Sequence, residues 1–195
     1  MSEKTLVRHC SPTLAGIKTG SLFTAEAADA DALRQTLRRY NRTLGAKGVR
    51  LLPLRWRNGR ALLYVYRPAR LSQDLQADGA RQLLCRCGYP TEDATRCVVR
   101  LMHRVCEGPE FPHEIGLFLG YPPEDVRGFI ERDTPCKCVG CWKVYGDAAA
   151  AEERFRQYRR CTAAYCRALA LGQSVERLTV ADRIENDQQK GRKKR

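Results

Sequence analysis

Three cysteines within six residues are the clearest chemical signal in this chain. Cys136, Cys138 and Cys141 form a C-x-C-x2-C pattern, and Gly140 lies between the last two. Thiolates are ligands that zinc and iron–sulfur clusters prefer, and a C-x2-C spacing lets two of them meet one ion across a tight turn. Glycine allows the left-handed backbone that such a turn often needs. The pattern predicts a loop that binds a metal ion or an iron–sulfur cluster, in a structural, sensory or redox role.

A closed zinc site or a four-iron cluster needs a fourth ligand, and the next predicted helix offers Cys161 and Cys166. On a helix, five residues correspond to a rotation of about 140°. The two cysteines therefore lie on opposite flanks of the apolar stripe of this helix, which contains Phe155, Tyr158, Thr162, Tyr165 and Leu169. Helix geometry allows at most one of them at the same ion and leaves open which one it is.

The other reading of these cysteines is that they are reduced thiols without a metal. The chain has ten cysteines, and it shows no apolar segment typical of an export signal, so disulfides are not expected. Cysteine is a common core residue. We expect structural roles for the four cysteines in the middle of the chain, which are Cys85, Cys87, Cys97 and Cys106.

Two pairs of neighbouring residues are candidates for catalysis. His9 precedes Cys10, which suggests a thiol near an imidazole, although neighbours in sequence do not by themselves make a dyad. His113 and Glu114 open a predicted helix, where the helix dipole favours a neutral imidazole that can act as a base. Cys10, His113 and Glu114 are thus the candidates for a thiol enzyme. No phosphate loop, nucleophile elbow or dinucleotide motif is present, and whether the protein is an enzyme stays open.

The net charge of +13 and the pI of about 9.5 admit a polyanionic partner. Residues 112–130 also have the glycine and apolar spacing of a helix-turn-helix corner. The second helix would enter a DNA groove with its N-terminal end, which contains Pro123, Glu124 and Asp125. The two acids would repel phosphate. A structural corner is favoured, and a nucleic-acid-binding regulator that uses this corner and the basic tail remains an alternative.

The element pattern predicts an α+β fold, with a small N-terminal α/β part followed by a mainly helical part. Asn58-Gly59 supplies the two residues of a type I′ turn, so 49–57 and 60–67 should form a β-hairpin. Residues 1–25 are expected to be irregular or extended, with a short strand at 17–23. Helices are expected at 29–44, 69–87 (as one helix or two), 91–106, 112–119, 123–132 and 148–171.

One domain is predicted over residues 1–185, followed by a disordered basic tail over 186–195. The tail carries five of the basic residues against one acid, and such ends are usually solvated. No apolar run approaches the roughly 20 residues that cross a bilayer. The absence of a membrane segment and of an export signal leads us to expect a cytoplasmic protein.

Several segments together resemble a bacterial protein family, seen largely in anaerobes, that is known only as a domain of unknown function. The segments are HCSPTLAGIKTGSLF, FPHEIGLFLGYPPEDVRGFIE and CKCVGCWKVYGD, followed by Cys161-Thr162 and Leu178–Val180. The resemblance covers about residues 7–180 in the same order and implies a single-domain cytosolic protein. It implies Cys161 as the fourth ligand, and the anaerobic association favours an iron–sulfur cluster, with zinc as the alternative. It implies no activity.

Overall fold

The computed structural model describes residues 1–107 and 110–182, and its fold is α+β. The helices and strands of these residues follow one another in this order: α1 (Glu3–Leu14), β1 (Gly20–Glu26), α2 (Ala30–Gly45), β2 (Arg50–Arg57), β3 (Arg60–Tyr66), α3 (Pro68–Gln76), α4 (Asp78–Arg86), α5 (Ala94–Glu107), α6 (Ile115–Phe118), α7 (Pro123–Glu131), β4 (Cys138–Val139), β5 (Lys143–Val144), α8 (Ala148–Ala170) and α9 (Val175–Leu178).

A three-stranded antiparallel sheet with the order β1-β3-β2 lies at the centre. The predicted hairpin is confirmed: β2 and β3 pair from Arg50 opposite Tyr66 to Arg57 opposite Arg60, with a bulge between Pro53 and Arg55. Asn58 and Gly59 both have positive φ, at 50° and 67°, as a type I′ turn requires.

Helices cover both faces of this sheet, because successive side chains of β3 point to opposite sides. Ala61, Leu63 and Val65 enter a first core with α1 and α2, while Tyr64 enters a second core built from α3 to α7. The sheet that the sequence predicts as part of an N-terminal unit is therefore shared by both halves of the chain.

The start of the chain differs from the sequence prediction. Residues 3–14 form α1 rather than an irregular segment, and the first strand covers 20–26 instead of 17–23. Ser2 caps α1 by accepting a hydrogen bond from Thr5 N at 3.2 Å, and Pro12 lies in its last turn. The helix forms because it buries one face, with Leu6, Val7, Cys10 and Leu14 all inaccessible to solvent. Tertiary packing here outweighs the local signals of Ser11-Pro12 and Gly16.

The other helices lie close to their predicted positions. Asp29 caps α2 through Ala32 N, and the segment 69–87 divides into α3 and α4 at Ala77. Helix α5 begins at Ala94, with Asp93 rather than Thr91 bound to its first turn through Thr95 N. The predicted helix at 112–119 is reduced to the single turn α6.

Buried Arg67 joins distant parts of the chain, and its five N–H groups all donate hydrogen bonds. Its acceptors are carbonyl oxygens at the end of α1, in the turn after α2 and beyond α9, together with one carboxylate: Thr13, Leu14, Lys47, Val180 and Asp182. We call this arrangement the Arg67 clasp. It holds the residues after α9 against the end of α1.

The predicted tail at 186–195 lies outside the described residues. Among residues 1–107 and 110–182, no helix has both the length and the apolar character needed to cross a membrane.

Candidate functional site

The cysteine segment, which the sequence predicts as a loop, folds as a small β-hairpin. Strands β4 and β5 pair Cys138 with Val144 and Val139 with Lys143, and Lys137 N donates to Val144 O at 2.7 Å. Gly140 and Cys141 lie in the connecting turn. We call residues 136–146 the cysteine hairpin.

Asp125 anchors the cysteine hairpin to α7. The residue is 3% exposed, and its Oδ2 accepts a hydrogen bond from Trp142 Nε1 at 2.7 Å. Its Oδ1 accepts from the backbone N–H groups of Tyr145 and Gly146, each at 2.7 Å. A carboxylate with three donors forms charge-assisted hydrogen bonds that fix the hairpin in place.

The other side of the cysteine hairpin packs against α8. Trp142 meets Phe155 edge to face, with ring centroids 4.5 Å apart, and Val144 is fully buried in the same cluster. Gly140 lies so close to the Phe155 ring that a Cβ would come within 2.2 Å of it. Only glycine fits at this point of contact.

The three hairpin cysteines have different surroundings. Cys136 and Cys138 are half-buried, and Cys138 touches the Trp142–Phe155 cluster. Cys141 is exposed. Loss of solvation raises the pKa of Cys138, with the Glu152 and Asp125 carboxylates adding to the effect. Partial desolvation also raises the pKa of Cys141, which Lys18 and Arg159 oppose. Without a metal these two thiols are protonated at neutral pH.

Helix α8 brings Cys166, and not Cys161, to the depression that Cys141 lines. Helix α8 also contributes Tyr158, Arg159 and Thr162 to the border of this depression. Cys161 is half-buried near Tyr165, and burial raises its pKa. The implied role of Cys161 as fourth ligand therefore stays a prediction, and Cys166, the other candidate from the sequence, borders the same depression as Cys141.

Two of the four cysteines expected to be structural differ from the hairpin cysteines in their hydrogen bonds. Cys97 Sγ donates to Pro90 O at 3.1 Å, and Cys106 Sγ donates to Leu54 O at 3.0 Å. Within residues 1–107 and 110–182, none of the hairpin cysteines has a comparable bond through its sulfur. The hairpin thiols can therefore bind another group without breaking such a hydrogen bond.

The candidates for a thiol enzyme lie apart in the structure. Cys10 is fully buried in the first core, and burial strongly raises the pKa of its thiol, the opposite of what a nucleophile needs. His113 borders a different cavity and contacts the Phe129 ring edge to face. Glu114 is buried, accepts from Tyr89 OH at 2.8 Å and lies 2.6 Å from Arg104 Nε. Its geometry is that of a structural ion pair.

Lys18 is a residue of the site that sequence reasoning missed. Its Nζ donates to Gly20 O at 2.6 Å and stands 5.3 Å from the centre of the Tyr121 ring. Burial lowers its pKa to about 8. A lysine between Gly16 and Gly20 is typical of a solvated loop, so no local pattern distinguishes it.

The helical corner has its predicted structural form. A Cβ on Gly116 would come within 2.7 Å of Val126, and Gly120 has a φ of 76°. In the first turn of α7, Asp125 is buried and holds the cysteine hairpin, while Glu124 beside it is exposed. A helix end that carries the hairpin and an exposed acid favours the structural interpretation over DNA reading.

Comparison with known proteins gives a family and nothing more specific. No curated protein and no solved structure matches the chain. A family described as "Protein of unknown function (DUF3793)" matches residues 6–179, from α1 to the end of α9, which confirms the resemblance to a family of unknown function. The chain therefore belongs to the DUF3793 family.

Proposed function

We propose that this is a cytoplasmic protein that binds a thiophilic metal centre, zinc or an iron–sulfur cluster, through Cys136, Cys138 and Cys141. The observation that carries the proposal is the cysteine hairpin, which presents three thiols within six residues while Asp125 fixes its backbone. A fixed backbone lowers the entropy lost when the thiols are brought to one ion.

The donor set has the chemistry that zinc and iron–sulfur clusters select, because all three ligands are thiolates. Cys136 lies two residues before Cys138, the first residue of β4. Their thiols are near enough for the charge of Cys136 to affect the pKa of Cys138.

The metal-free arrangement is not a finished coordination shell. Among residues 1–107 and 110–182, no three side chains of His, Cys, Asp or Glu already surround one point. Binding therefore requires the thiols to rotate towards one another and to release their protons, which the metal's charge drives. This cost makes metal affinity steeply dependent on pH.

Helix α8 supplies the fourth ligand in this proposal. Cys166 lines the depression that Cys141 borders, whereas Cys161 is favoured only by the family resemblance. Serine variants of the two residues separate these choices, because loss of one ligand typically weakens a closed site while the other change leaves it intact.

The test is to measure metal and acid-labile sulfide, with a visible spectrum, on protein purified without oxygen. Zinc near one per chain indicates a structural centre, and iron with sulfide indicates a redox or sensory one. Cys138→Ser should abolish the metal content. Cys85→Ser is the matched control, since Cys85 is exposed on α4 and distant in sequence from the hairpin.

Metal-free wild-type protein, or equal metal content in Cys138→Ser and wild type, would overturn the proposal. A nucleic-acid-binding role and a thiol-enzyme role are the alternative functions. The nucleic-acid role has no further support in the described residues, where the first turn of α7 holds the cysteine hairpin and exposes the acid Glu124. The thiol-enzyme role has none at Cys10, which is fully buried.

A further inference from the structure

An open depression of about 450 Å³ lies between the start of the chain, the cysteine hairpin and α8. Lys18 contributes to its wall from the segment before β1, and Arg159 and Thr162 contribute from α8. Tyr158 and Cys141 also border it. The volume falls within the range of sites that bind small molecules. We call it the Lys18 depression.

The charge in this depression has one sign. Lys18 and Arg159 are cationic, His9 adds an imidazole, and no Asp or Glu among the described residues borders the space. Over residues 1–107 and 110–182, no carboxylate lies within ion-pair distance of Lys18. Its ammonium has only the Gly20 carbonyl and the Tyr121 ring as partners. An enclosed cation without a counter-charge is costly.

Neutral donors surround the same space. Tyr158 and Thr162, which carry hydroxyl groups, border it. Neither hydroxyl donates a hydrogen bond to the part of the chain that the structure describes. Hydroxyl groups of this kind can bind anionic oxygens beside a cation.

A neighbouring depression of about 430 Å³ shares Lys18 and Tyr158 but has a different charge pattern. Its border includes the carboxylates Asp74 and Glu124 as well as Arg70 and Arg154. The two acids offset part of the positive charge there. The depression shared by Lys18 and Arg159 has no such acid among the described residues and is better suited to negative charge.

We propose that the Lys18 depression binds a small organic anion, a compound with a carboxylate or phosphate group, between Lys18 and Arg159. The anion supplies the counter-charge that the enclosed ammonium lacks, and the hydroxyl groups of Tyr158 and Thr162 complete its hydrogen bonds. The site goes beyond metal binding at the cysteine hairpin, since its cationic residues are not metal ligands. Cys141 and Cys166, two of the proposed ligands, border the same depression, so the two sites are neighbours.

The experiment is isothermal titration calorimetry on the full chain, with inorganic phosphate in one arm and malonate in the other. The two arms distinguish a phosphate site from a carboxylate site. Arg159→Ala should raise the Kd of the bound anion about tenfold or more, as expected for the loss of a charged hydrogen bond. Arg160→Ala is the matched control: it makes the same charge change one residue further along α8, outside the depression, and should shift the Kd less than about twofold.

Two further variants keep the result interpretable. Lys18→Met removes the ammonium and keeps most of the apolar stem, and it should weaken the same anion at least as strongly as Arg159→Ala. Cys138→Ser removes a proposed metal ligand outside the depression. It should not weaken anion binding, because loss of a thiolate centre removes negative charge beside Cys141. Loss of metal with retained anion binding would thus separate the two proposals.

The proposal fails if neither anion binds to wild-type protein at millimolar concentration. It also fails if Arg160→Ala weakens binding as much as Arg159→Ala does, because the effect would then come from overall charge. Since Arg159 is exposed, its variant should fold even if the Lys18 variant does not.

Discussion

Burial decides the chemistry that individual side chains can perform in this protein. Cys10 and Lys18 are near one another at the start of the chain, and each influences the pKa of the other. Burial suppresses the thiolate of Cys10, and it lowers the pKa of Lys18 towards neutrality. The sequence singled out Cys10 because of its residue type and its neighbour His9. It gave no sign of Lys18, because enclosure is a property of the fold.

Replacement of Cys10 by alanine gives a test at this scale. Burial raises the pKa of Cys10 in the folded state, so above about pH 9 only the unfolded chain releases the thiol proton. The contribution of Cys10 to stability is therefore fully present below about pH 9 and is lost as the pH rises further. We expect Cys10→Ala to be less stable than wild type by about 1–2 kcal/mol at pH 7, because of the cavity. This difference should shrink by about 1.4 kcal/mol for each pH unit above about pH 9.

Urea denaturation at several pH values measures this difference. A constant difference from pH 7 to pH 10 would contradict the assignment of a buried, protonated thiol. Iodoacetamide should in addition modify Cys10 in native protein far more slowly than exposed Cys85.

At the scale of elements, the cysteine hairpin depends on contacts from outside its own segment. Each of its strands has only two residues, which is too short to be stable alone. Asp125 of α7 and Phe155 of α8 hold it in place. The hairpin at Asn58-Gly59 was predictable because turn chemistry is local, whereas this one was not because its anchor on α7 lies 17 or more residues away in sequence.

Asp125→Ala should detach the cysteine hairpin. Three donors lose their acceptor, and the Trp142 N–H is left buried, so we expect a loss of stability of about 3 kcal/mol or more. In a Trp56→Phe background, Trp142 is the sole tryptophan, and its fluorescence should shift to longer wavelength in the variant. Metal content should fall together with this shift.

Glu124→Ala is the control for this change, because Glu124 is the exposed acid beside Asp125. Its effect on stability should stay within about 0.5 kcal/mol. Equal effects of the two substitutions would show that general charge, and not the three hydrogen bonds, stabilises the hairpin.

On the scale of the whole molecule, the chain is organised around one sheet with a core on each face, and the Arg67 clasp connects residues far apart in sequence. The α+β class and most helix positions follow from periodicity and caps in the sequence. Periodicity and caps do not predict helix α1, the Arg67 clasp or the sharing of the sheet by both halves of the chain. Arg67 follows an apolar strand and precedes Pro68, and no local pattern reveals that its five donors bind carbonyl and carboxylate oxygens from three distant segments.

Arg67→Met should cost about 4 kcal/mol or more, since it leaves buried carbonyl groups and Asp182 without their partner. Guanidinium chloride denaturation measures the loss, and limited proteolysis should show earlier cleavage near residues 180–182. Arg81→Met, at an exposed position of α4, should change stability by less than about 0.5 kcal/mol. Similar stability of the two variants would rule out a structural role for the clasp.

Helix α1 also packs against α8, and this contact has a consequence for synthesis of the protein. Roughly 150 residues separate the end of α1 from the end of α8, and a ribosome adds about 5–20 residues per second. The sheet and α2, which pack on Leu6, Cys10 and Leu14, are complete by Tyr66. For about 8–30 s, the nascent chain therefore presents the side of α1 that α8 covers without this partner. That side stays open to chaperones until α8 is complete.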